Sequence, residues 1–243
     1  MTNLKSVLPR WFLLLTLGNI ISYSAVHIDY LFEHDAFMYA NICVTTAWDF
    51  IFPVICAALM LFLYVKWNTK SALLGGMLLC STKFFYSLFF YYLDYVINES
   101  YITRDAILMS LMISALVIVV SYAHSVIFFL VMLAITRFCK HSGNKPTKER
   151  LNCELGKGDF FDLDNSTVRG LISLSAIQLI LYTVLEIIDT REFLSKYGNT
   201  ADTEELIFII FKYVFLLGLF ILSHYSNVKL LQKLNNKYTN GDN

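Results

Sequence analysis

The stretch "ILMSLMISALVIVVSYAHSVIFFLVMLAI", residues 107–135, contains no aspartate, glutamate, lysine or arginine. A helix needs about 20 mostly apolar residues to cross the hydrocarbon core of a bilayer, which is roughly 30 Å thick. This stretch exceeds that length without interruption. It predicts a membrane-spanning helix and indicates that the whole chain is an integral membrane protein.

The composition of the chain agrees with a membrane protein. Hydrophobic residues make up 57% of it and charged residues only 16%, whereas about a quarter of the residues of a soluble domain are charged. The apolar residues are gathered into six long blocks, with most charges in the gaps. We therefore predict an all-α, polytopic integral membrane protein, a single membrane domain over residues 1–243, with six transmembrane helices at about 11–26, 41–65, 72–97, 107–135, 168–188 and 206–226.

The first of these helices is the shortest, and it admits a second interpretation. Lys5 and Arg10 precede it and small residues lie near its end, as in a cleaved signal peptide. Its last residues lack a clean small-residue cleavage site. We therefore favour a spanning helix over a signal peptide.

The distribution of lysine and arginine predicts the orientation. With six helices, the N-terminus, the second and fourth connections and the C-terminal tail 227–243 share one side, and they carry most of the 19 lysines and arginines. Such residues concentrate on the cytoplasmic side of a membrane. We predict a multi-pass protein of the cell membrane, by default a bacterial plasma membrane, with both termini cytoplasmic. The bilayer is the expected partner, and the zero net charge gives no sign of nucleic-acid binding.

The longest connection, residues 137–167, has cations in its first half and acids in its second. We predict a short surface helix from Lys148 to Leu155 and a turn at Gly156 to Gly158. Asp164 or Asn165 is expected to cap the next helix.

This cytoplasmic loop has two possible roles. It is either a solvated connection or a docking surface for a soluble partner, because long connections are often functional or disordered. After the last span, leucines and lysines of the tail alternate at helical spacing. This pattern predicts that the last helix continues as an interfacial stretch.

Five ionisable residues of the predicted spans are candidates for intramembrane sites, namely Asp49, Lys83, His124, Glu186 and Lys212. Such residues are costly in a membrane and normally face one another or a functional site. We predict that Asp49, Lys83, Glu186 and Lys212 form a binding site for a small solute or ion in the outer half of the bilayer. In the alternative interpretation Asp49 pairs with Lys83 or Lys212 and the charges only specify helix packing.

Pro53 adds a second polar feature to the same helix as Asp49. Proline has no N–H, so the main-chain carbonyl of Asp49 loses its usual helical partner. Interrupted helices of this kind coordinate cations in some transporters. His124 is a possible proton relay, although hydrogen-bonded packing is the more common role of such a histidine.

The sequence lacks the motifs of several enzyme classes. It has no phosphate-binding G-x-x-x-x-G-K-[ST] motif, no H-E-x-x-H and no G-x-S-x-G. The spacing of Cys139, His141 and Cys153 matches no zinc site. We therefore predict no enzyme, cofactor or metal. The predicted function is binding or transport of a small solute or ion; the alternative is a non-catalytic membrane subunit or scaffold that docks a soluble partner through loop 137–167.

The predicted orientation can be tested with reporter fusions. Green fluorescent protein fused to the C-terminus should fluoresce, and alkaline phosphatase at the same position should be inactive, because that enzyme folds only after export. High phosphatase activity at the C-terminus would reverse the predicted orientation.

Overall fold

The computed structural model describes residues 4–32, 35–84, 104–138, 148–197 and 203–239. Within these ranges the chain is helical and contains no strand, which confirms the predicted all-α fold. The helices are α1 (Leu4–Phe32), α2 (Asp35–Lys66), α3 (Thr69–Cys80), α4 (Arg104–Phe138), α5 (Lys148–Glu154), α6 (Ser166–Tyr197) and α7 (Thr203–Thr239).

Four helical segments of the described ranges are long and apolar enough to cross a membrane. They are Cys43–Lys66, Ile107–Thr136, Ser166–Ile188 and Ile209–Lys237. These segments support four of the six predicted spans. The apolar part of α1, Val7–Ser22, is shorter than the about 20 residues that a spanning helix needs.

The helix predicted over residues 72–97 is interrupted. Helix α3 ends at Cys80, and the chain turns at Ser81 and Thr82. Ser81 Oγ donates to the Leu78 carbonyl at 2.7 Å, and Thr82 Oγ1 donates to the Leu79 carbonyl at 2.6 Å. Such local side-chain bonds compete with helical main-chain bonds, which explains the turn. Residues 85–97 of the predicted helix lie outside the described residues.

The chain divides into two compact units, the first including the described residues up to Leu130 and the second running from Val131 to Lys237. In the first unit α2 is buried along most of its second half. Trp67 and Asn68 connect it to α3, and the Asn68 side chain caps α3 by accepting a hydrogen bond from the Ser71 N–H at 2.8 Å.

Helices α2 and α3 run antiparallel and approach closely at a pair of glycines. A Cβ atom on Gly76 would lie 2.6 Å from the sulfur of Met60, and one on Gly75 would lie 2.3 Å from a methyl carbon of Leu63. Small residues at such positions let two helices pack tightly. The contact fixes the register of the two helices and brings the end of α3 beside the middle of α2.

In the second unit, α5 and the following turn agree with the sequence-based predictions. Gly156 and Gly158 have φ angles of 70° and 95°, values that glycine adopts more readily than other residues. The Asn165 side chain accepts hydrogen bonds from the Thr167 and Val168 N–H groups at 3.0 and 3.1 Å and so caps α6, as predicted. Helix α7 extends to Thr239, which confirms that the tail continues the last helix.

The close contact of Gly156 with α7 generates a stability prediction. A Cβ atom there would lie 2.5 Å from main-chain atoms of Leu231 and Gln232, and the left-handed backbone adds roughly 1 kcal/mol for a residue with a side chain. Gly156→Ala should therefore lower the melting temperature in mild detergent, measured by size-exclusion chromatography after heating.

Gly218→Ala is the matched control for this substitution. No neighbouring atom lies within 4 Å of a Cβ at this helical position, and alanine is favoured over glycine in a helix by about 0.5–1 kcal/mol. The variant should be as stable as the parent or more so. Equal melting temperatures for Gly156→Ala and the parent would contradict the contact between this turn and α7.

Candidate functional site

A chain of hydrogen bonds joins the first three helices where α3 ends. The Trp48 indole N–H of α2 donates to Asn19 Oδ1 of α1 at 2.7 Å. The Asn19 amide donates in turn to Thr82 Oγ1 at 3.0 Å. Asn19 and Thr82 are fully buried, so these bonds satisfy polar groups that would be costly to bury unpaired.

Gly18 allows the Trp48 ring to reach Asn19. A Cβ atom on Gly18 would lie 2.2 Å from the indole ring, so any larger residue would push the ring away from α1. The neighbouring Phe52 ring lies 5.7 Å from the Trp48 ring, centroid to centroid. Together these contacts fix the face of α2 that carries Asp49.

Lys83 follows the turn at the end of α3 and is buried. Its Nζ atom lies 3.0 Å from Asp49 Oδ1 and 4.8 Å from the centroid of the Phe52 ring. The ammonium group is therefore bound by a carboxylate and by an aromatic face, both of which favour a positive charge. Asp49 thus pairs with Lys83, one of the two partners expected from the sequence.

The two members of this pair differ in accessibility. The Lys83 side chain is 6% exposed, whereas the Asp49 side chain is 53% exposed. A ligand that approaches the pair from outside the protein therefore meets the carboxylate first. The Asp49 carboxylate can accept a proton or a cation while the Lys83 ammonium remains behind it.

A proline inside α2 and the turn that ends α3 lie at this pair, and α2 itself continues as helix through Pro53. Pro53 removes the usual helical partner of the Asp49 carbonyl, and the turn at Ser81 and Thr82 immediately precedes Lys83. The Asp49 carbonyl thus lacks its usual helical donor, whereas carbonyls of the turn, such as those of Leu79 and Ser81, accept hydrogen bonds within it. In membrane transporters, ion and substrate sites typically form where helices are discontinuous and main-chain carbonyls are freed.

Glu186 and Lys212, the other predicted site residues, form an ion pair within the second unit. Lys212 Nζ lies 3.2 Å from Glu186 Oε2, and both side chains are at least two-thirds buried. The hydroxyls of Thr190 and Tyr213 lie 3.3 Å apart, so α6 and α7 are joined by two polar contacts. The structure thus brings the four predicted residues together as two pairs, each within its own unit.

His124 of α4 packs against an aromatic side chain. Its ring lies 4.4 Å from the Phe128 ring, centroid to centroid, at an angle of 66°. The proton-relay role stays a prediction. Cys139 and His141 lie outside the described residues, and no group of metal-ligating side chains occurs within the described ranges.

Sequence reasoning missed Trp48 and Thr82 as neighbours of the candidate site. It placed Asn19 on a polar face of α1 but assigned it no partner. An asparagine within an apolar segment signals a buried hydrogen bond, yet the partner depends on how three helices pack. Comparison of the chain with protein-family models, with curated proteins and with solved structures finds no match.

The unequal exposure of the pair predicts unequal effects of its two neutralising substitutions. Asp49→Asn leaves a positive charge buried without this carboxylate, whereas Lys83→Met leaves a carboxylate that the protein itself buries by only about half. Removing one partner of a fully buried pair costs about 3–5 kcal/mol. We expect Asp49→Asn to lower the free energy of unfolding by an amount that approaches this range. Lys83→Met should lower it by less.

Thermal denaturation in mild detergent measures both losses. The double variant Asp49→Asn/Lys83→Met provides the control and should regain part of the stability that Asp49→Asn loses, because it contains neither charge. A loss for Lys83→Met that exceeded the loss for Asp49→Asn would contradict the arrangement of a buried ammonium behind an accessible carboxylate.

Proposed function

We propose that this chain is a multi-pass membrane protein that binds and transports a small polar solute or ion at the Asp49–Lys83 pair. The observation that carries the proposal is the position of this pair beside the Asp49 carbonyl, which Pro53 leaves without its usual helical donor, and beside the turn that ends α3. Half-broken helices let transporters expose main-chain groups to a ligand and move around a fixed site.

The chemistry of the pair indicates the class of ligand. A proton or cation that binds Asp49 competes with Lys83 for the carboxylate and releases the ammonium to bind an anionic group. A buried charge must not be left unpaired. A zwitterionic solute meets this requirement best, because its positive group replaces Lys83 at Asp49 and its negative group replaces Asp49 at Lys83.

The surroundings of the pair support recognition of such a solute. The Phe52 ring, which lies beside the Lys83 ammonium, and the neighbouring Trp48 ring provide faces that attract a positive group. Their positions are fixed by the hydrogen bond between Trp48 and Asn19. A site held in this way loses little conformational entropy when it binds a ligand.

The cellular setting of the proposal rests on the four apolar helices and on the positions of the lysines and arginines. These features favour the cell membrane, with both termini in the cytoplasm. Glu186 and Lys212 remain predicted members of a larger solute site, and His124 remains a predicted relay. We propose no enzymatic activity.

A ligand screen on the purified protein tests the proposal. Amino acids, betaines and simple cations are added in turn, and the shift of the melting temperature is measured for the parent and for four variants. We expect one compound class, zwitterions, to stabilise the parent. Lys83→Met and Asp49→Asn should abolish the shift, whereas Lys212→Met and Glu186→Gln should retain it.

The other outcomes have distinct meanings. Loss of the shift in Lys212→Met as well would favour the four-residue site predicted from the sequence. The swapped variant Asp49→Lys/Lys83→Asp controls for folding, because it restores opposite charges. If Lys83→Met still bound the ligand, the pair would be structural and the proposed function wrong.

A further inference from the structure

Helix α7 presents an exposed apolar band that stops abruptly. Large apolar side chains such as Ile210, Val214, Leu217 and Ile221 are about half exposed or more, and the last of them is Tyr225. Over residues 226–237 the exposed side chains belong instead to lysines and one asparagine. The change from apolar and aromatic to cationic residues marks the level where hydrocarbon gives way to lipid headgroups.

The loop that follows α5, residues 155–165, is docked on α7 at this level. Gln232 Nε2 donates a hydrogen bond to the Gly158 carbonyl at 3.0 Å, and Gly156 packs directly on the main chain of α7. A ring nitrogen of His224 is hydrogen-bonded to the Phe160 carbonyl. These contacts hold the loop along residues 224–232 of α7.

Aromatic contacts fix the loop at the end of the apolar band. The Phe160 and Tyr225 rings lie 4.3 Å apart, centroid to centroid. Lys229 Nζ lies 5.4 Å from the Phe160 ring centroid and 5.8 Å from that of Tyr225. Aromatic rings next to a lysine are the usual residues of a membrane–water boundary.

Two large apolar side chains of the docked loop remain more than half exposed, although the Phe161 ring lies 5.3 Å from the His224 ring of α7, centroid to centroid. Phe161 is 58% exposed and Leu163 is 55% exposed, although the main chain between them is held in place. Asp162, which separates them, accepts hydrogen bonds from the N–H groups of Asp164 and Asn165. Its carboxylate therefore forms hydrogen bonds within the loop.

We propose that the loop of residues 155–165 is a lipid-binding surface: Phe161 and Leu163 enter the bilayer beside Tyr225, and Lys229 and Lys233 bind the phosphates of anionic phospholipids. The two side chains continue the exposed apolar band of α7, and the exposed lysines follow directly beyond it. Burial of apolar side chains together with attraction to anionic headgroups is how interfacial segments bind membranes. A soluble protein is the competing occupant of this surface.

Photocrosslinking from single positions tests the apolar part of the proposal. The photoreactive residue p-benzoylphenylalanine replaces Phe161 or Leu163, and the protein is irradiated in vesicles of phosphatidylcholine and phosphatidylglycerol. Leu217 is the positive control within the apolar band, and Asp159 is an exposed polar control on the same loop. Intact-protein mass spectrometry should show phospholipid adducts at 161, 163 and 217 and several-fold fewer at 159.

Two results would overturn this part. The first is lipid adducts at 217 without adducts at 161 or 163. The second is a covalent protein adduct in place of lipid at 161 when native membranes are irradiated before purification, because that result would assign the surface to a soluble partner.

The lysines are tested by retention of phosphatidylglycerol in native mass spectrometry. A lysine near an anionic surface contributes about 1 kcal/mol, which corresponds to roughly fivefold in affinity. Lys229→Gln and Lys233→Gln should each lower retention by about that factor, whereas Arg191→Gln, at an exposed position near the other end of α6, should not. Unchanged retention in both lysine variants would exclude them as phosphate ligands.

Discussion

The ion pair between Lys83 and Asp49 is the interaction on which the proposed site depends. A buried ammonium requires a negative partner, and Asp49 can supply it only if α2 and α3 keep one register. The glycines of α3 hold that register because they let the helices approach. Helix α1 completes the arrangement, since Asn19 bonds both Trp48 of α2 and Thr82 at the end of α3. The positions of the two charged side chains are therefore set by the polar groups of Asn19, Trp48 and Thr82.

The burial of the helices separates internal contacts from surfaces suited to lipid. Helix α2 buries most of the side chains of its second half, whereas α4, α6 and α7 expose many large apolar side chains. Water would penalise such exposed surfaces, and the hydrocarbon of a bilayer would not. The same contrast explains why Lys83, buried directly after α3, is paired with Asp49 of α2: a buried ammonium needs a partner from a neighbouring helix.

Local features of the fold were predictable because they depend on neighbouring residues alone. Apolar length located four spans, and the preferences of asparagine and glycine located the cap at Asn165 and the turn at Gly156. The break at Ser81 and Thr82 was missed because hydroxyl residues are also tolerated within helices, and their bonds to carbonyls three residues earlier appear only in the structure. The pairing of Asp49 with Lys83 rather than Lys212 could not be predicted, because helical periodicity gives the face of a side chain but not the helix that faces it.

Because Lys83 lies directly after the turn, breaking its ion pair with Asp49 changes how the end of α3 contacts α2. Thr82 is held by Asn19, so the ammonium extends from a fixed point in the main chain toward Asp49 and Phe52. A ligand that displaces Lys83 from Asp49 therefore changes a contact between α2 and the end of α3, whereas the hydrogen bonds that join α1 to both can persist. Because two arrangements that share a fixed framework can differ by only a few kcal/mol, the Lys83 side chain is the group whose position a ligand at Asp49 would alter most.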